Sequence, residues 1–168
     1  MLLFLVSCTG QESNEIREDQ TWVDFKSEKY SFSFSFPGSW NEITGDLPDR
    51  WAIVNNGDTI LFTVNKAQIE DLLVLGKIQA LRDIYPEAAG NKIKQEKVDE
   101  VNNMVKLAVF NNKTWYTYAI KFQDKDVDSI VSGTLCNNNE INLVMASSID
   151  AFEGNKAIYG NMLNSFVC

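Results

Sequence analysis

The chain has 168 residues, of which 45% are hydrophobic, and its 15 lysines and arginines against 23 aspartates and glutamates give a net charge of -8. This length predicts one domain with a full hydrophobic core, and the composition excludes a chain that is disordered throughout. An acidic chain without a run of lysine or arginine repels phosphate backbones, so no nucleic acid is expected among its partners.

The start of the chain resembles the end of a bacterial lipoprotein signal peptide. Residues 1–6 are apolar throughout, and Leu5–Cys8 has the Leu-x-Ser-Cys form of a lipobox. The resemblance implies that Cys8 is the acylated first residue of the mature chain and that residues 1–7 are a partial signal peptide. The protein is then expected in the cell envelope, held by this lipid on the periplasmic or extracytoplasmic face of a membrane. The alternative is an apolar N-terminus with an incidental cysteine.

A polar segment separates this cysteine from the rest of the chain. Residues 9–21 are acidic and almost free of apolar side chains, which is typical of a solvated tether. A flexible chain of this length spans about 20 Å. Residues 8–21 are therefore predicted to be the lipidated cysteine with its tether, and residues 22–168 to be a single domain.

The first part of the domain shows the patterns of strands. Trp22–Phe25 is predicted to be a short strand. In Tyr30–Phe36 aromatic side chains alternate with serines, the period-2 pattern of a strand with one buried and one wet face. Pro37 and Gly38 then predict a turn, after which Trp40 begins a new element.

Three further strands are expected before the first helix, at Trp40–Ile43, Trp51–Val54 and Thr59–Val64. Asn56 and Gly57 lie between the last two and give the strongest short signal of a hairpin, because a type I′ turn needs positive φ at both central residues. The third strand carries apolar side chains on both faces, which indicates a central position in a sheet.

An amphipathic helix is predicted over about Ala67–Tyr85. Its apolar residues recur at steps of three and four, and Pro86 ends the pattern. Asn65 with Gln68 has the form of a helix cap. Gly76 lies in the middle of this helix, where it indicates either close packing of the helix backbone on the sheet or simple tolerance.

The second half of the chain is predicted to be an antiparallel meander of five strands: Lys92–Val101, Met104–Phe110, Thr114–Phe122, Val127–Leu135 and Ile141–Ser147. The turns between them are rich in asparagine and aspartate: Asn102-Asn103, Asn111–Lys113, Gln123–Asp126 and Asn137–Asn139. Asp150 with Glu153 is predicted to cap a final helix. The apolar face of this helix is formed by Phe152, Tyr159, Met162, Leu163 and Phe166.

The sequence offers little chemistry for catalysis. It contains no histidine, which removes the commonest general base and every Ser-His-Asp arrangement. No enzyme activity and no cofactor are therefore expected. Three aspartates in Asp124–Asp128 alternate as at the opening of a calcium loop, but Ser129 and Leu135 stand where such a loop needs glycine and glutamate. A solvated turn is predicted there, and no metal site.

Trp115, Tyr116 and Tyr118 occupy one predicted strand and face opposite sides of the sheet. They are predicted to belong to the core, with a stacking platform for a ligand as the alternative.

Cys136 and Cys168 are the two cysteines of the domain. Cys136 ends a predicted strand and Cys168 follows the last helix, so a disulfide between them would clip that helix to the sheet. Two free thiols are the alternative.

The order of elements resembles the PsbP-like family, which includes bacterial lipoproteins of the DcrB and LpqN kind. The resemblance rests on the F-x-F-P-G-S-W pattern within Tyr30–Trp40 and on Met162–Phe166. It implies an α+β fold in which helices pack on both faces of an antiparallel sheet, an α/β/α sandwich, and a non-catalytic role.

Two functions remain open at this point. The first is a lipid-anchored accessory or assembly protein that binds another envelope protein. The second is a carrier of small ligands with a pocket between sheet and helix. No ligand-binding residue is assigned.

Overall fold

The computed structural model describes residues 21–44, 49–86, 94–122 and 126–168. The predicted signal peptide, Cys8 and nearly all of the tether lie outside these residues. The described chain is α+β, with the elements β1 (Trp22–Ser27), β2 (Phe32–Pro37), β3 (Asn41–Thr44), β4 (Arg50–Asn55), β5 (Asp58–Lys66), α1 (Leu72–Ile84), α2 (Gln95–Met104), β6 (Lys106–Phe110), β7 (Lys113–Phe122), β8 (Val127–Cys136), β9 (Asn139–Ser148) and α3 (Ile149–Ser165).

Seven strands form one antiparallel sheet in the order β3-β4-β5-β9-β8-β7-β6, while β1 and β2 pair as a separate hairpin. The strand predicted to be central is confirmed as such, because β5 pairs with β4 on one side and with β9 on the other. From β6 to β9 each strand pairs with the next, as in the predicted meander. The pairing of β9 with β5 then joins both halves of the chain in one sheet.

Helices cover both faces of this sheet, as predicted. On one face α1 and α2 bury a cluster that includes Leu75, Val101 and Tyr116. On the other face α3 and the β1–β2 hairpin enclose a larger cluster, to which Phe62 and Trp115 contribute from the sheet. Among the described residues no helix is long and apolar enough to cross a bilayer.

The aromatic strand is the centre of the larger cluster. Phe32, Phe34 and Phe36 are buried on one face of β2, and the intervening serines are only half-buried. The Phe34 ring stacks on that of Phe62 with 4.2 Å between centroids and on that of Phe25 at 5.0 Å. The predicted alternation is confirmed, although the strand begins after a turn that contains Tyr30.

Asparagine forms the predicted hairpin turns because its side chain tolerates positive φ. Asn56 and Gly57 have φ of 48° and 96°, which confirms the type I′ signal. The turns between β6 and β7 and between β8 and β9 each contain two asparagines at positive φ: Asn111, Asn112, Asn137 and Asn138.

The first helix begins later than predicted. α1 starts at Leu72, and Asp71 caps it by accepting hydrogen bonds from the backbone amides two and three residues ahead. The predicted cap at Asn65 is wrong because Asn65 still pairs with Glu140 in the β5–β9 ladder. The strand therefore continues past the residues that resembled a capping box.

The strand predicted at Lys92–Val101 is wrong, and so is the turn at Asn102-Asn103. Residues Gln95–Met104 form α2, which buries Val101. Val98, Val101 and Val105 are three and four residues apart, a helical spacing that places them toward one side. The meander consequently has four strands.

The last helix also differs at its start. Ser148 is the N-cap of α3, and its Oγ accepts a hydrogen bond from the backbone amide of Ala151. Asp150 is not the cap, because β9 runs to Ser148 and the helix begins at the next residue. Asp150 lies in the first turn instead, where a negative charge is favourable beside the positive end of the helix dipole.

Candidate functional site

Three side chains from separate parts of the chain meet at one end of the strands of the sheet, and we call this place the cysteine rim: Lys113, Cys136 and Cys168. β7 begins at Lys113 and its antiparallel neighbour β8 ends at Cys136, so both residues lie at the same end of the sheet. After α3 the backbone of Val167 exchanges two hydrogen bonds with that of Ser33, at 2.9 and 2.8 Å. This bridge brings Cys168 to the same place.

The two cysteines of the rim differ in accessibility. Cys136 is 2% exposed, and its thiol lies near that of Cys168, which is exposed. The Nζ of Lys113 lies 2.6 Å from the Cys168 Sγ. Burial raises the pKa of the Cys136 thiol to about 12, and the nearby Cys168 thiol acts in the same direction. Both cysteines are free thiols here, so their pairing remains a prediction, but the structure brings them close together.

A recess of about 270 Å³ opens beside the rim and is lined by Asn111, Asn112, Lys113, Phe166, Val167 and Cys168. It lies at the ends of the strands and not between the sheet and a helix, where the carrier hypothesis places a pocket.

The predicted aromatic platform belongs to the core. Trp115 is fully buried on the α3 face, with its ring 5.0 Å from that of Phe166. Tyr116 and Tyr118 lie on the opposite face beneath α1, with ring centroids 6.2 Å apart. The core role of these three residues is therefore confirmed.

The hydroxyl groups of the two tyrosines donate to carboxylates. Tyr116 donates to the Oε1 of Glu140 at 2.8 Å, and Tyr118 donates to the Oδ2 of Asp83 at 2.6 Å. Burial raises the pKa of both tyrosines well above the ordinary value, and the neighbouring carboxylates act in the same direction. Both phenols are therefore neutral donors that tie β7 to β9 and to α1.

A second buried polar network lies on the α3 face. Asp58 accepts hydrogen bonds from the Oγ of Ser147 and from the Nδ2 of Asn155, the latter at 2.8 Å. Ser147 is 1% exposed, so a substrate cannot reach its hydroxyl. This network joins β5, β9 and α3, and its chemistry is that of a structural contact.

Of the segment Asp124–Asp128, which resembled the opening of a calcium loop, residues 124 and 125 lie outside the described residues. Asp128 belongs to β8 and pairs with Lys121 across the ladder. In the parts of the chain that the structure describes, no three cysteine, aspartate or glutamate side chains converge as a metal site would require.

The sequence reasoning missed two features of the surface. Leu107 and Val109 are 49% and 67% exposed on β6, the last strand of the sheet. The sequence shows that the two residues alternate within the predicted strand Met104–Phe110. It does not show that this strand lies at the edge of the sheet. Lys113 was assigned only to a turn, since nothing in the sequence places it beside Cys168.

Comparison with known proteins finds similarity in structure only. No protein-family model matches the chain, and no curated protein matches it. A solution structure of cyanobacterial PsbP (CyanoP) from Synechocystis sp. PCC 6803 is similar with a TM-score of 0.61 and 13% identity, covering 97% of this chain and 98% of that one.

Two further solved structures are similar. A crystal structure from Bacteroides thetaiotaomicron has a TM-score of 0.58 and 15% identity, and the match covers 86% of this chain but 47% of that one. A mutant of the protein Mog1 has a TM-score of 0.52 and 8% identity, with coverage of 88% and 95%. Likeness at such identities concerns the fold alone, and it agrees with the resemblance in Tyr30–Trp40: this chain has a PsbP-like fold.

Proposed function

We propose that this chain is a lipid-anchored protein of the cell envelope that acts by binding another envelope protein. The lipobox-like Leu5–Cys8 and the acidic tether support the anchor. The PsbP-like fold supports a role without catalysis. So do the carboxylates of Asp58 and Glu140, which are buried and already hydrogen-bonded within the structural networks.

The observation that carries this proposal is the edge strand β6. In the described sheet β6 pairs only with β7, so the backbone N–H and C=O groups on its other side have no strand partner among the described residues. Leu107 and Val109 project from the same face of this strand and are largely exposed. A strand edge bordered by apolar side chains offers a partner both main-chain hydrogen bonds and apolar contact.

The occupant that fits this edge is an extended segment of a partner protein that adds one strand beside β6. β6 is five residues long, so the added strand is short and the complex is expected to be reversible. Lys106 lies at one end of β6 and is exposed, which is the usual protection of an edge against uncontrolled pairing.

The carrier hypothesis has less support. At Gly76 the α1 backbone is so close to the sheet that an added Cβ would lie 2.6 Å from the Tyr116 Cγ. This part of the helix–sheet interface has no room for a ligand. We therefore favour protein binding over ligand transport.

Site-specific photo-cross-linking in native membranes tests the binding face. A photoreactive side chain at position 109 should give a discrete cross-linked product, and one at position 74, which is also exposed but lies on α1, should not. Leu107→Asp should remove the product while leaving the melting temperature of the purified domain unchanged. Equal cross-linking from positions 74 and 109 would reject β6 as the interface.

Lipidation is tested separately. The full-length protein, produced in a bacterial host with a labelled fatty acid, should incorporate the label, and Cys8→Ser should not. A wild-type protein without label would refute the anchor and leave the question of the β6 interface untouched.

A further inference from the structure

The cysteine rim holds two thiols near each other, and neither is explained by the proposed binding function. Cys136 is buried among the residues of the α3-side cluster, while Cys168 is exposed beside the recess. The backbone hydrogen bonds between Ser33 and Val167 fix the chain next to Cys168. Phe166, which precedes Val167, is held in place by its buried ring. The fold thus holds the two thiols near each other.

We propose that Cys136 and Cys168 are a reversible disulfide site, in which Cys168 is the attacking thiol and Lys113 positions its sulfur. The roles follow from access, because a soluble oxidant reaches the exposed Cys168 but not Cys136. Lys113 contacts the Cys168 sulfur through its ammonium group and holds it beside the recess, where a disulfide can approach.

The oxidant is a disulfide of small-molecule or protein origin, as found in oxidising compartments. The Cys168 thiolate attacks one sulfur of this disulfide, which forms a mixed disulfide and releases one thiolate. That thiolate takes the proton of Cys136, whose sulfur then attacks the Cys168 Sγ and displaces the second thiolate. Two electrons and two protons pass from the protein to the oxidant, which leaves as two thiols once the second thiolate is protonated.

The disulfide would close a loop of roughly 30 residues that contains the whole of α3. Such a loop restricts the unfolded chain, and closing it should raise the melting temperature by about 10 °C. Oxidation would therefore fix α3 and the strand bridge to the end of β8.

The first experiment treats the full chain carrying Cys8→Ser with glutathione disulfide. The expected product has lost two hydrogen atoms by intact mass, yields a linked Cys136–Cys168 peptide pair, and melts about 10 °C higher until a thiol reductant is added. Two thiols that still react with a maleimide after oxidation, or a disulfide between two chains, would overturn the proposal.

Two variants in the same background separate the roles. Cys136→Ala should trap the mixed disulfide of glutathione on Cys168, whereas Cys168→Ser should form no adduct because Cys136 is buried. An adduct in Cys168→Ser and none in Cys136→Ala would reverse the assignment.

Lys113 is tested through the rate of this trapped step. In the Cys136→Ala background, Lys113→Gln should slow adduct formation several-fold at low salt and remove its dependence on salt. Lys106→Gln changes an exposed lysine on the neighbouring strand and should leave the rate unchanged. Equal rates in the two variants would refute the role of Lys113.

Discussion

Gly76 and Gly154 are both helical glycines, and alanine should have opposite effects at the two positions. An added Cβ at Gly76 would meet the Tyr116 side chain at 2.6, 2.7 and 3.0 Å, whereas one at Gly154 meets nothing within 4 Å. Tyr116 cannot easily give way, because its hydroxyl is bonded to Glu140 and its ring tip packs over Gly133. Both substitutions therefore gain stability from the higher helix propensity of alanine, but only Gly76→Ala also creates a clash.

The magnitudes follow from these distances. Replacing a helical glycine by alanine gains about 1 kcal/mol, so Gly154→Ala should raise the melting temperature by about 2–4 °C. Overpacking a filled core costs about 1–3 kcal/mol, and distances this far below van der Waals contact indicate the upper part of that range. Gly76→Ala should thus lose about 2 kcal/mol net and melt about 4–8 °C lower.

Urea denaturation of both variants, with the slope m compared to that of the wild type, measures these differences directly. The two midpoints should lie on opposite sides of the wild-type midpoint at unchanged m. A Gly76→Ala protein that is stabilised like Gly154→Ala would refute close packing of α1 on the sheet and would reopen room for a ligand there.

The stacked aromatic core, the two buried tyrosines and the buried Cys136 thiol can each be tested by substitution or by pH. Phe34→Ala should lower the free energy of unfolding by about 3–5 kcal/mol, because it empties the centre of the stacked cluster. Ser35→Ala, on the other face of β2, should lower it by less than about 1 kcal/mol. Thermal melts of the two variants compare these losses. The free energy of unfolding should fall as the pH rises above about 10, because Tyr116 and Tyr118 ionise in the unfolded chain before they do so in the folded one. The loss should be up to about 1.4 kcal/mol per pH unit for each buried tyrosine. Tyr118→Phe should therefore reduce the slope of stability against pH. In the Cys8→Ser, Cys168→Ser protein, thiolate absorbance from Cys136 should stay absent up to about pH 9, where an ordinary cysteine is already mostly ionised; a signal near pH 8 would contradict its burial.

The strands were predictable because each carries its own pattern. In β2 the alternation of phenylalanine and serine defines a buried face without reference to any other element, and Asn56-Gly57 defines a hairpin by its backbone preference alone. α2 was not predictable in the same way. Its few apolar residues are separated by charges, and valine is common in strands, so the helical spacing was outweighed by residue type.

The order of the strands was beyond sequence reasoning, and with it the identity of the edges. A meander read from the chain gives β6 to β9 as neighbours but does not say that β9 continues to β5. Only that pairing leaves β6 at the margin of the sheet, where Leu107 and Val109 are exposed. The same alternation within a central strand would have buried both side chains.

The cysteine rim depends on contacts that are still more distant along the chain. Cys168 reaches Cys136 because Phe166 packs on Phe32 and Trp115, and because Val167 pairs with Ser33, more than a hundred residues away. The aromatic strand that organises the core therefore also determines where the two thiols meet. Phe166→Ala should then slow disulfide closure even though no sulfur is changed. Phe152→Ala removes a buried ring at the other end of α3 and should destabilise the domain without changing the rate of disulfide closure.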